Sequence, residues 1–138
     1  MSQLKLVALD PEDLQVVSTC CQDAVLKIGE MKYLRAEKKF VMTLNRYAWE
    51  KGEVKERHRA VLHFDQVVSV RHNGIDLSQG DLVISLLAIL FEETDAPAGF
   101  IDLIFAGDGA IRLNVECVEA QLADMPSAWE AQSMPSHE

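Results

Sequence analysis

Between residues 99 and 125 the chain reads GFIDLIFAGDGAIRLNVECVEAQLADM, and the order of apolar residues there constrains the fold more than any other stretch. Ile101, Leu103 and Phe105 alternate along one segment and Ile111, Leu113 and Val115 along the next, which is the two-residue period of half-buried strands. Gly107, Asp108 and Gly109 between them tolerate the positive φ that a tight hairpin turn requires. Past the hairpin, Val115, Val118, Leu122 and Met125 recur at helical spacing, with Asn114 placed to cap and Glu116 in the first turn. The spacing therefore predicts a terminal amphipathic helix that closes the core.

The rest of the chain reads as more of the same sheet. Residues 4–9 form a short strand. Asp10-Pro11-Glu12-Asp13 is a helix start, with Asp as N-cap, Pro at the first helical position and two acids in the first turn. Leu14, Val17 and Cys21 give that helix an inner face, and it is expected to end near Asp23. Residues 25–34 read as a strand with a bulge at Gly29, because the apolar phase changes there. Strands follow over residues 40–49 and 59–70, joined by a polar loop over 50–57, with a phase slip near Asp65 and Gln66. Asn73-Gly74 is a turn; the apolar run over 82–92 allows helix or strand at its start and as a whole fits a strand covered on both faces, entered directly or through a short helical turn. Short turns between neighbours imply antiparallel pairing.

The fold class is α+β: a single domain over residues 1–125 with a tail over 126–138, pinned by Trp129. Its core is a bent antiparallel sheet or partly closed barrel with an N-terminal helix and a C-terminal helix packed on it, resembling the pleckstrin-homology type of roll. Its 138 residues, 49% apolar and 25% charged, are enough for one folded domain. The start MSQLKLVALD is too short for a signal-peptide core, and the apolar run over 82–91 is about half a membrane span, so a cytoplasmic protein is expected.

Charge divides the chain. Residues 1–72 carry 12 Lys/Arg against 10 Asp/Glu, whereas residues 73–138 carry one against 12, for a net charge of −9. An acidic half repels nucleic acid and anionic membranes, so neither is expected as a partner. Cys20, Cys21 and Cys117 match no zinc cluster or CxxC pair. They read as small buried side chains on two helices, with a reactive thiol as the less favoured alternative. No cofactor or metal is expected.

The residues offer two constellations for function. His63 and Asp65, two apart on a strand, leave the same face. Matching the apolar faces, with Leu44 beside Leu62 and Phe64, brings Asn45 opposite or diagonal to His63 and Thr43 near Asp65. Thr43, Asn45, His63 and Asp65 could then hold a polar ligand, or Asp65 could orient His63 as a general base in a small enzyme. The plainer reading is the solvated face of an antiparallel pair. Arg46, Tyr47 and Trp49, beside a loop holding Lys51, Lys55, Arg57, His58 and Arg59, form the second, of the kind found on partner-binding surfaces. Packing at the rim of the sheet is its plainer reading. His58, His72 and His137 read as surface residues. The favoured function is a non-enzymatic module for a protein partner or small ligand, with homodimerisation as a further alternative.

The segments LKLVALDPEDL, QDAVLKIGEM, FVMTLNRYAWE, LHFDQVVSVRHNGID and FAGDGAIRLNVECVEAQLADM resemble a bacterial family catalogued as domain of unknown function 2948. The resemblance runs in order over essentially the whole chain. It implies a small bacterial cytosolic protein of one compact domain and carries over no catalytic residues.

Overall fold

A computed structural model describes residues 4–47 and 57–126. Trp49, most of the polar loop, the pinning of the tail by Trp129, and His137 lie outside the described residues. The elements are β1 (Lys5–Ala8), α1 (Pro11–Cys20), β2 (Ala24–Lys27), β3 (Met31–Leu34), β4 (Lys39–Tyr47), β5 (Arg57–Phe64), β6 (Val67–Asn73), β7 (Val83–Glu93), β8 (Gly99–Phe105), β9 (Gly109–Val115) and β10 (Ala120–Asp124). All pair antiparallel in one sheet, in the order β1-β10-β5-β4-β2-β7-β8-β9-β6, with β3 beside β4. Among the described residues no ladder joins the end strands β1 and β6, so the sheet does not close.

The bend lets strands from both ends of this path share one core. Phe40, Met42 and Leu44 of β4 and Leu62 and Phe64 of β5 are buried in the same cluster as Leu103, Phe105, Ile111 and Leu113 of the closing hairpin. The corner falls at Asp65 and Gln66, where the sequence phase slips: Gln66 takes a φ of 60°. The backbone there is tied to neighbouring chain by Asp65 N donating to Glu119 O (2.8 Å) and Glu116 N donating to Gln66 O (3.0 Å). The hairpin between β8 and β9 turns as its glycine predicts, through Gly107 (φ 82°) and Asp108 (φ 68°).

The N-terminal helix forms for the reasons legible in its start. Asp10 accepts from Asp13 N at 2.7 Å, and Pro11 occupies the first turn. Leu14, Val17 and Cys21 face the core. The helix stops at Cys20, earlier than the sequence suggests, and then covers an open edge. β2 pairs with β7 only from Val83 to Leu86. Beyond that point Asp23 N donates to Leu86 O (2.8 Å) and Ile89 N donates to Ser18 Oγ (2.9 Å). The helical segment thus supplies hydrogen bonds that the next strand does not. Among the described residues, no helix is long and apolar enough to cross a membrane.

Three expectations are corrected. The terminal helix is absent: residues 120–124 form β10, a strand held between β1 and β5. Val118, Ala120 and Leu122 are all buried, a period of two that a helix cannot bury on one side, and these strands on both sides satisfy its backbone. The roll plugged by a terminal helix goes with it. Second, residues 25–34 are two strands parted by a 3-10 turn over Ile28–Glu30, so the phase change at Gly29 marks a break in the strand. Third, β7 is not covered on both faces. A bulge between Leu86 and Ala88 shifts its phase, turning Leu86 and Ile89 both inward and leaving Val83, Leu87 and Leu90 between 41% and 57% exposed.

Gly99 is fixed by space. A Cβ there would stand 2.5 Å from Glu92 O and 2.6 Å from the Phe91 ring, on the neighbouring strand β7. Gly99→Ala is therefore expected to cost about 1–3 kcal/mol. Gly80→Ala, where the nearest atom is 3.7 Å away, is expected to stay within about 0.5 kcal/mol. Urea denaturation of both variants checks the contrast.

Candidate functional site

The outer face of β4 and β5 carries the first constellation, but in another register. Leu44 pairs with Ala60, so Asn45 stands opposite Arg59, Thr43 opposite Val61, and His63 opposite Val41. On its other side His63 faces Gln121 of β10. Thr43 is diagonal to His63, while Asn45 lies two pairs further along, beside Arg59 and its ion pair with Glu30 (2.7 Å). The four polar residues therefore do not converge. His63 and Asp65 do meet: His63 Nδ1 lies 3.3 Å from Asp65 Oδ2, and Lys39 Nζ lies 3.7 Å from Asp65 Oδ1. His63 Nδ1 is buried yet makes no aligned hydrogen bond, so the two groups are close without being hydrogen-bonded.

Arg46, expected at a partner surface, is buried instead. It is on the inner face of β4 with Met42 and Leu44, and its side chain is 0% exposed. Its Nε and Nη2 donate to the two carboxylate oxygens of Asp124 at 2.8 Å each, and its Nη1 donates to Tyr47 O at 3.1 Å. Leu4 N also donates to Asp124 (2.9 Å), and His58 Nδ1 lies 3.8 Å from it. Ala60 of β5 pairs with both Leu44 and Asp124; its small side chain lets the guanidinium cross that strand. Burial pushes the Asp124 carboxyl up, but the hydrogen bonds from Arg46 and Leu4 and the charges of Arg46 and His58 outweigh it and hold it below the usual carboxylate value. Tyr47, on the opposite face of β4, is half-buried, with the Arg57 guanidinium 5.0 Å from its ring centre and donating to its hydroxyl (2.9 Å).

Two of the three cysteines, Cys21 and Cys117, are poorly set up as nucleophiles. Burial pushes the Cys21 thiol up to about 12, so it stays protonated at neutral pH. Burial and the charges of Glu119 and Glu116 also raise Cys117. Cys117 lies in the bend before β10, not on a helix. Among the described residues, no group of three or more His, Cys, Asp or Glu converges as a metal site would.

A groove of about 340 Å³ opens on the outer face of β6, β8 and β9. Registers there form a grid. Asn73, Ala110 and Ile104 occupy one row across the three strands, and Arg71, Arg112 and Asp102 the next. Arg112 leans toward β8: its Nε and Nη2 donate to the Asp102 carboxylate at 2.8 and 3.0 Å, its Nη2 also reaches Glu92 (3.1 Å), and it lies 4.3 Å over the Phe100 ring. The hydrogen bonds to Asp102 raise its pKa further, so it remains charged. Among the described residues no carboxylate pairs with the exposed Arg71, which stands directly opposite Arg112. The glycine turn alone makes Asp102 and Arg112 face each other across a hairpin. The Arg71–Arg112 opposition comes from the non-local pairing of β6 with β9, for which the sequence carries no local signal.

No curated protein and no solved structure matches the chain. A family profile does, over residues 4–137, nearly the whole chain and in keeping with the segments quoted above. The chain belongs to the family described as protein of unknown function DUF2948.

Proposed function

We propose that this protein is a non-enzymatic binding module whose ligand seat is the groove on β6, β8 and β9. One observation carries this reading: a shallow site of about 340 Å³ with an apolar floor at Ile104 and Ala110 and polar walls at Arg71, His72, Asn73, Asp102 and Arg112. Small-ligand sites combine these features, with apolar surface for affinity and a few fixed polar groups for orientation. The net charge of −9 supports a partner other than nucleic acid or an anionic membrane. The cysteine pattern and the bacterial family resemblance support a cytoplasmic setting.

The test is an amide NMR titration of the full chain with a panel of small acids, amines and neutral compounds. Saturable shifts centred on Arg71, Asn73, Ile104 and Ala110 are the expected result. A panel that leaves these amides unmoved overturns the reading. The 3.3 Å approach of His63 to Asp65 favours one alternative, an acid–base pair. Shifts centred on Val41, His63 and Gln121, lost in His63→Ala, would move the site there.

A further inference from the structure

We infer that the groove on β6, β8 and β9 takes a small organic monocarboxylate, its carboxylate on Arg71 and its apolar body over Ile104 and Ala110. This rests on the reading of the groove as a ligand seat and names the ligand's chemistry. Like charges directly opposite on neighbouring strands are destabilising, because their Cβ atoms stand about 4.5–5.5 Å apart. Arg71 and Arg112 form such a pair. Arg112 is neutralised: the Asp102 carboxylate holds its fork on two oxygens, with Glu92 beside it. Those contacts satisfy Asp102 as well, which removes it as a repulsive charge in the wall of the groove. Arg71 keeps its full charge with no carboxylate among the described residues to meet it.

Arg71 is thus a guanidinium with no carboxylate contact among the described residues, and its planar fork matches a carboxylate by two parallel hydrogen bonds. Asn73, on the same face of β6 two residues on, can donate from its amide to the same anion. The row nearer the hairpin turn, which Asn73 shares with Ala110 and Ile104, presents apolar surface where the body of the ligand would lie. A phosphate ester, with about two charges at neutral pH, carries one more than Arg71 can match.

Amide NMR titrations with sodium hexanoate, 1-hexanol and inorganic phosphate test this, on the full-length wild type and on Arg71→Gln. Hexanoate is expected to shift the Arg71, Asn73, Ile104 and Ala110 amides saturably, and Arg71→Gln to weaken it by about tenfold to a hundredfold, the loss of a charge-assisted hydrogen-bonded pair. Arg71 is exposed and opposes a like charge, so unliganded Arg71→Gln should melt no lower than wild type. This separates loss of binding from loss of fold. If hexanol binds the same amides as tightly as hexanoate, or Arg71→Gln binds hexanoate as well as wild type does, the carboxylate assignment is overturned while the groove stands. Phosphate binding as tightly as hexanoate also overturns it. If none of the three moves these amides while other compounds of the panel do, the assignment again fails alone; silence across the whole panel removes the groove reading with it.

Discussion

Arg46→Met is expected to destabilise the protein by about 3–5 kcal/mol, because it leaves the Asp124 carboxylate in the core without its partner. Both side chains are almost completely excluded from solvent, so water cannot take over the lost interaction. The double variant Arg46→Met with Asp124→Leu should recover most of that loss, since apolar replacement of a buried pair is often neutral or stabilising. A double-mutant cycle by chemical denaturation then gives the coupling energy. A single variant as stable as wild type would show that the pair contributes nothing.

The same pair gives opposite pH responses in the two proteins. In wild type the Asp124 pKa is lowered on folding. Its contribution is thus present above the unfolded carboxylate value of about 3.9 and is lost as pH falls below that toward the folded value. In Arg46→Met, burial acts on Asp124 without the opposing guanidinium, so the folded pKa moves above the unfolded one and protonation favours the native state. The difference in stability between the two proteins should therefore shrink as pH falls from 7 toward 4. A difference that is constant with pH would show that Asp124 is not the group left stranded.

Local signals made much of the fold readable. Asp10-Pro11 fixed the start of α1, Gly107-Asp108 fixed the hairpin, and the phase slip at Asp65-Gln66 marked the corner. What could not be read was set by distant pairing. Val115, Val118, Leu122 and Met125 fit a helical stripe, yet Val118, Ala120 and Leu122 fit a strand equally well. Strands β1 and β5, about 115 and 60 residues away in the chain, decide between them by burying alternate residues and satisfying the backbone. The register of β4 on β5 is of the same kind. Apolar matching permits Leu44 beside Leu62; the observed Leu44–Ala60 pair leaves room for the Arg46 guanidinium to reach Asp124. That choice separates Asn45 from His63 and turns an expected surface arginine into a core ion pair. The groove depends on β6 meeting β9, and so on the bend of the whole sheet.

Ala120→Glu is expected to destabilise by at least about 4 kcal/mol, and Met125→Glu by no more than about 0.5 kcal/mol. A helix over residues 115–125 would reverse this order, because Ala120 would lie opposite its apolar stripe and Met125 on it. In β10, Ala120 is 2% exposed and paired with Ala8 on one side and Phe64 on the other, whereas Met125 is 39% exposed. A carboxylate at position 120 would enter the core with no cation among these neighbours, and burial would force it to take up a proton or the strand to leave the sheet. Loss of the strand would also release Asp124 from Arg46 and β1 from its ladder with β10, so the damage would spread beyond one side chain. Thermal and urea unfolding of the two variants read the order directly. A well-folded Ala120→Glu beside a destabilised Met125→Glu would replace the strand with the helix.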